Sequence, residues 1–412
     1  MDTRTCRFCH SQLKDSLVNL GLSPFSNNFV RSDQAGRGSQ FYPLHVFVCE
    51  NCLLVQLNEF ESPEHIFSNE YAYYSSFSDS WLLHAKQYVD DIVSNYNLDQ
   101  TSKVVEIACN DGYLLQYFVK RGIPVLGIEP AGNVAKMAET KGITVISDFF
   151  GEQLAGHLVD NGEQADLIIG NNVLAHVPDL NDFVRGLKKL LKETGIITME
   201  FPHLLKLMQD NQFDTIYHEH FSYFSFMTVE KVFARHGLTI FNVEELSTHG
   251  GSLRIYVRHE HYEKLQVSAD VKRLVALEMT AGLHKMEAYH TFYKRVEQTK
   301  RDILSFLINL KNKGATIVGY GAPAKGNTLL NYCGIRNDFI EYVVDRNPHK
   351  QGTFLPGTLI PVYEPERIRD TKPDVVVIMP WNIKDEIIDQ MAYITEWGGR
   401  FAVFIPEPKM IE

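Results

Sequence analysis

No segment of this 412-residue chain approaches the roughly 20 consecutive apolar residues that a membrane-spanning helix needs. The N-terminus has no apolar h-region of a secretory leader. Sustained Lys/Arg runs are missing too, and the net charge is −11, which argues against a nucleic-acid surface while leaving room for a basic pocket around one diphosphate. Repeats of short period and low-complexity tracts are absent. These gaps leave a globular chain long enough for two to four domains. Neither membrane nor nucleic acid is expected as a partner, the cytoplasm is the expected compartment, and the oligomeric state is left open.

Cysteine is scarce, six in the whole chain, yet four of the six fall in two tight pairs, Cys6-x-x-Cys9 and Cys49-x-x-Cys52. Each pair sets two thiolates on one turn, and two such turns supply a tetrahedral Zn²⁺ site. Two disulfides or four unrelated buried thiols are the alternatives; without a leader, metal is favoured. Phe41, Leu44, Val46 and Val48 lead into the second pair in a partly alternating, strand-like pattern. A site closed by four sulfurs leaves no position for substrate, so this zinc is structural and the chemistry lies elsewhere.

The pattern then changes. A polar stretch with Pro63 reads as a linker, and apolar residues recur at helical spacing from Trp81 to about Asn97. Strands follow at Val104–Ala108, Val125–Glu129, Thr144–Ile146, Leu167–Gly170 and Gly195–Glu200, with helical segments between them, the alternation of an α/β sheet. Leu238–Val243 and Ser252–Val257, joined through Thr248-His-Gly-Gly, read as an antiparallel hairpin. A long helical stretch from Val267 to Asn312 leads to a second α/β run with strands at Ala315–Tyr320, Ile340–Asp345 and Asp374–Met379, and a last one at Arg400–Ile405. The expected division is a zinc-binding module over 1–63, a Rossmann-like sheet over 64–265, and a second Rossmann-like domain with its leading helices over 266–412.

Glu106-Ile-Ala-Cys-Asn-Asp-Gly112 sits where a nucleotide-binding fold turns from its first strand into its first helix. Small residues there let the backbone approach a ligand, and Glu129, ending the second strand, is placed to accept from both ribose hydroxyls. Asp148 and Phe149 follow the third strand, positioned for an adenine amino group and ring face. Asn171 follows the fourth. This layout resembles the class I S-adenosylmethionine (SAM) methyltransferases, departing from their E-x-G-x-G-x-G loop at Ala108 and Asn110, where two glycines are replaced.

Tyr217-His218-Glu219-His220 is the densest chemistry-bearing cluster, at the carboxyl edge after the fifth strand. His176 lies at the same edge, and Glu70-Tyr-Ala-Tyr-Tyr-Ser-Ser supplies aromatic residues, Tyr71, Tyr73 and Tyr74, for a cover over it. Histidines so placed titrate near neutrality and act as bases. A His-x-His metal site assisted by Glu219 is the competing reading, and on an extended segment His218 and His220 would share one side. In the second sheet, Gly319-Tyr-Gly-Ala-Pro-Ala-Lys-Gly-Asn327 matches a dinucleotide fingerprint with Asp345 ending the next strand. Lys325 and Asn327 also suit any nucleotide diphosphate at a helix N-terminus.

Taken in order, four cysteines, a SAM-type sheet carrying Tyr-His-Glu-His, then G-Y-G-A-P-A-K-G-N, the whole chain resembles the nucleotide-sugar C-methyltransferases of deoxysugar biosynthesis. That resemblance implies a TDP-linked 4-keto-6-deoxyhexose methylated at carbon 3, or at carbon 5 in some branches, with SAM as cofactor and Zn²⁺ as a structural ion. It implies His220 as base and Tyr217, Glu219, His176 and Tyr71 as companions. The sugar nucleotide falls to the C-terminal sheet, at Lys325, Asn327, Arg346 and His349, with Tyr73 and Tyr74 covering it. An NAD-dependent sugar-nucleotide oxidoreductase and a non-catalytic zinc-ribbon scaffold are the alternatives.

Overall fold

The computed structural model describes residues 4–60 and 74–411, which build three sheets. Strands β1 (Asp15–Ser23), β2 (Tyr42–Val48) and β3 (Val55–Leu57) form an antiparallel meander between and beyond the two cysteine turns. The second sheet takes β4 (Val104–Ile107), β5 (Val125–Ile128), β6 (Val145–Ile146), β7 (Ala165–Asn171) and β8 (Leu191–Pro202). A two-residue strand, β9 (Ser222–Tyr223), leaves this domain and pairs with β3, so the first sheet is completed by the second domain. The hairpin of β10 (Leu238–Leu246) and β11 (Ser252–His259) then docks antiparallel on β8.

The resulting order is β10-β11-β8-β7-β4-β5-β6, with all pairs from β8 to β6 parallel. Chain direction across the sheet reverses between β4 and β7, the crevice where open α/β sheets bind ligands. Helices cover the sheet for local reasons. Helix Asp79–Tyr96 begins where the Ser78 hydroxyl accepts from the Trp81 amide, and stops at Asn97 in a left-handed conformation. Helix Leu180–Leu190 is capped by Asp179 and buries Phe183, Val184 and Leu187 at helical spacing.

The expected long helix from Val267 is three, Ala269–Thr280, Met286–His290 and Phe292–Asn312, because Gly282 takes a positive φ after the first. The third sheet runs β14 (Val362–Tyr363), β13 (Val343–Val344), β12 (Ile317–Tyr320), β15 (Val375–Ile378), β16 (Arg400–Val403), β17 (Lys409–Ile411). Arg400–Val403 is therefore not the last strand. The chain turns back after Pro406 and Lys409–Ile411 covers the open edge antiparallel to it. The three sheets share cores. Cys6, Cys49 and Cys52 lie in one apolar cluster with Val105, Ile128 and Phe224 of the second domain. Leu17, Leu44 and Val55 share another with Leu204, Tyr223, Leu329 and Phe404. No described helix is long and apolar enough to cross a membrane.

Candidate active site

All six cysteines are free thiols, and the Sγ atoms of Cys6, Cys9, Cys49 and Cys52 lie within 4.8 Å of one another. Cys6 and Cys52 approach to 3.5 Å and Cys9 and Cys49 to 3.4 Å. Four sulfurs around Zn²⁺ stand about 3.8 Å apart, so the set fits that ion with little adjustment. Among the described residues no other His, Cys, Asp or Glu group has metal-ligand spacing.

At the end of β4 the backbone takes a positive φ at every second residue, 56° at Ala108, 50° at Asn110 and 74° at Gly112. The two non-glycine residues thus adopt the conformation that glycine makes free, at about 1 kcal/mol or more for the alanine. Gly112 combines its positive φ with close packing, since a Cβ there would collide with the end of the Ile143 side chain and crowd Ala138. Glu129 accepts from the Asn110 amide at 3.0 Å and the Ala131 amide at 2.9 Å, and burial pushes it up to about 7 against those bonds. Glu106 is wholly buried and raised well above the carboxylate range. Neither of its oxygens has a hydrogen bond of good geometry, although Tyr113 offsets part of the burial. Asp111 likewise keeps one buried oxygen without a bond. Buried acceptors around a strained loop at the switch point fit the ammonium and ribose hydroxyls of SAM. Asn171 donates to the Tyr113 hydroxyl at 3.3 Å, while Asp148 and Phe149 stand exposed beyond β6.

The Tyr-His-Glu-His motif turns rather than running extended, and its side chains part company. His218 is buried in an aromatic box, 5.1 Å from Phe25 and 6.1 Å from Tyr42, and bonds the Pro43 carbonyl at 3.3 Å. The expected shared side for His218 and His220 is thus wrong, and the two do not form a chelating pair. His220 places Nδ1 3.0 Å from the Thr215 carbonyl and Nε2 2.9 Å from the Tyr217 hydroxyl. A carbonyl only accepts, so Nδ1 carries the proton and Nε2 offers its lone pair to Tyr217. His176 stands edge-on to His220 with ring centres 4.7 Å apart and bonds the Glu219 backbone. Burial holds His176 down to about 4 and His220 well below its ordinary value, with His176 adding to the latter shift. Both rings are therefore neutral at physiological pH.

The C-terminal domain closes over this edge. Trp381 donates its indole N–H to the buried Asp214 carboxylate at 2.7 Å, and Thr328 donates to the Ile216 carbonyl at 2.9 Å. Half-buried Lys325 lies over the Trp381 ring at 4.6 Å, bonds Asn382, and has its pKa lowered to about 8 by burial, with Asp214 opposing. Its charge helps to depress His220 and His249, so it faces the cluster from across the domain boundary. Asn327 donates one amide hydrogen to the Ser26 carbonyl at 2.7 Å, while its Oδ1 is buried without a hydrogen bond. Asp345 accepts from the amides of Ala322 and Asn347, at 2.7 Å and 2.8 Å. His349 stacks on Tyr74 with ring centres 5.4 Å apart, and Arg346 approaches Asp79 at 3.9 Å, both on the exposed rim. Tyr71 and Tyr73 lie outside the described residues, as does Pro63.

Four contributors escaped the sequence. Asn27 bonds Glu219 at 2.6 Å, Asp214 receives Trp381, and Thr215 acts through its carbonyl. Trp381 had no motif around it. The composition of a motif gives no sign of a partner almost two hundred residues away.

A parallel sheet with buried carboxyl groups at its switch point, beside a neutral histidine paired with tyrosine, has the architecture of a class I methyltransferase. Known proteins narrow this. Residues 6–67 match a zinc binding domain family, 81–243 a methyltransferase domain family, and 247–406 the C-methyltransferase C-terminal domain family. The C-methyltransferase NovU of Streptomyces niveus is 34% identical over 407 residues, covering 98% of this chain and 96% of NovU. The chain belongs to this family of SAM-dependent C-methyltransferases. A ubiquinone biosynthesis O-methyltransferase of Bartonella quintana is 32% identical over 98 residues, 23% of this chain and 39% of that protein. The magnesium protoporphyrin IX methyltransferase of Synechocystis PCC 6803, solved with bound SAM, is 17% identical with a TM-score of 0.32, covering 43% of this chain and 78% of that one.

Proposed function

We propose that this C-methyltransferase acts on a TDP-linked 4-keto-6-deoxysugar, methylating carbon 3 or carbon 5, with His220 as the base. The observation that carries this reading is the His220 tautomer. Its Nδ1–H is fixed on the Thr215 carbonyl, leaving a basic Nε2 beside the Tyr217 hydroxyl. A keto group acidifies the neighbouring C–H, so a positioned neutral imidazole removes that proton and leaves an enolate whose carbon is nucleophilic. General-base catalysis of this kind contributes on the order of 10²- to 10⁴-fold. Bound SAM supplies the electrophilic methyl on its sulfonium. For Nε2 to take the proton the Tyr217 hydroxyl turns away from it, and the O–H so released is the nearby donor for the developing enolate oxygen, a role typically worth ~3–4 kcal/mol. Lys325, the half-buried cation of the C-terminal domain, faces the same space and supports an anionic substrate.

The test is direct. Full-length protein with SAM is offered a panel of TDP- and GDP-linked 4-keto-6-deoxysugars, and products are read by mass spectrometry and NMR. One panel member is expected to gain a single methyl on carbon. If the whole panel stays unmethylated while SAM binds, the sugar-nucleotide reading is wrong.

A further inference from the structure

Glu219 is the acidic member of the motif, and a residue from the N-terminal module holds it. Asn27, in the loop between β1 and β2, donates from Nδ2 to Oε1 of Glu219 at 2.6 Å. That loop is pinned on both flanks. The Ser26 carbonyl accepts from Asn327 and the Ser26 hydroxyl lies 3.5 Å from that of Thr328, both in the C-terminal domain. Val30 bridges the Phe354 backbone on the same side, while Phe25 packs on His218 on the other. An amide fixed from two directions is a donor that does not need to be reorganised during a reaction.

Glu219 is 4% exposed, and its acidity is balanced. Burial pushes it up to about 7, opposed by the Asn27 bond and by the charge of Lys350. Lys350 is itself tied to the Ala322 carbonyl at 3.0 Å and stands 3.8 Å from Asp345, which blunts its field at Glu219. His176, bonded to the Glu219 backbone, is neutral and adds none. Asn27 is thus the closest group favouring the carboxylate.

We propose that Asn27 is a positioning residue of the methyl-transfer site, fixing the carboxyl of Glu219, the residue that precedes the base in the chain. The N-terminal module then takes part in turnover as well as in folding. An anionic Glu219 stabilises the imidazolium that its neighbour His220 becomes on accepting a proton. This rests on the reading of the motif as the site of proton removal.

Two variants in the full-length, zinc-loaded protein test it. Asn27→Ala removes the donor, and the isosteric Asn27→Asp replaces it with a second carboxyl. The first readout needs no substrate: a ¹³C-carboxyl NMR titration of Glu219, assigned with Glu219→Gln. The midpoint is expected to rise in both variants, by about one pH unit or more for Asn27→Asp, where like charges share a site. An unmoved midpoint in both overturns the proposal. The second readout is the pH dependence of kcat on the accepted sugar nucleotide. The variants should lose about fivefold near neutrality, regain rate as pH rises, and keep KM and SAM affinity, because moving a midpoint from about 7 up by about one pH unit lowers the charged fraction at neutrality from about a half to about a tenth. A loss that is the same at every pH, or that tracks lost zinc, makes Asn27 merely structural and also overturns it. If wild type methylates no sugar nucleotide, the substrate reading fails separately and the titration still decides the role of Asn27.

Discussion

A histidine serves as a base only while it is neutral and its free nitrogen is aimed. At His220 burial meets the first condition and the Thr215 carbonyl the second. Because the folded pKa lies well below 6.5, the rate should show no imidazole inflection near that value; the imidazole limb belongs at lower pH. His220→Asn should lower kcat by on the order of 10²- to 10⁴-fold with KM nearly unchanged, since a base acts on the barrier rather than on affinity. His218→Ala should be milder, because His218 faces the aromatic box of the N-terminal module. A dead His218 variant beside an active His220→Asn enzyme would reverse the assignment. Glu129 gives a second prediction at this scale. As the proposed acceptor of the SAM ribose hydroxyls it would act as the carboxylate, and its pKa is raised to about 7, so SAM affinity should weaken as pH falls through 7 and level off above it. Calorimetry across that range should show the slope in wild type and none in Glu129→Gln. Glu129→Ala should cost ~1.5–3 kcal/mol of SAM binding at higher pH. A pH-independent wild-type affinity would move the ribose elsewhere.

Helix Phe226–Arg235 follows β9, and a distant carboxylate helps to hold its start. Glu278, wholly buried, accepts from the Phe226 amide at 2.6 Å and the Met227 amide at 2.9 Å, and His203 stands at 2.7 Å from it. Ser225 takes the Thr228 amide as the local cap. Glu278→Ala leaves buried donors unpaired and should cost about 2–4 kcal/mol, seen as a lower urea midpoint, while SAM affinity of the folded protein stays the same. A midpoint unchanged from wild type would show that Ser225 alone caps the helix. Elements such as this also mark how far the sequence could be read. The cysteine turns, the alternating strands and the β10–β11 hairpin follow from local patterning and were legible. So was the loop at Glu106–Gly112, because its residues must be small. β9 was not, since two residues carry no periodicity, and its pairing with β3 is settled by the packing of two modules. Lys325 and Asn327 stood in one motif but part in the structure, one facing the cluster and the other tied to Ser26. A motif gives spacing along the helix, while the neighbouring domain decides which face is used.

At the scale of the molecule, the four-cysteine site is wired to the edge that carries His220 and His176. Gln56 donates its side-chain amide to the Cys6 sulfur at 3.2 Å and accepts the Arg7 amide at 2.9 Å. Gln56 lies in β3, where it pairs with Ser222 while Val55 pairs with Tyr223. The Leu57 amide bonds the Phe221 carbonyl at 2.9 Å, and Phe221 in turn donates to Ala175, next to His176. A short run of backbone therefore separates the zinc-supported strand from His220 and His176. Binding of a structural zinc is folding free energy for the elements it ties together, so removing the ion should be felt along this path. We expect a strong chelator to raise hydrogen exchange in β1–β3 and in 217–224 together, with loss of methyl transfer. β4, β5 and β7 should keep their protection and SAM should still bind, because that half of the second sheet makes its own parallel ladder. Restoring Zn²⁺ should restore both protection and turnover. If exchange rises in the N-terminal module alone while 217–224 stays protected and activity persists, the zinc module is independent of the site and the strand shared between the two domains carries no such coupling.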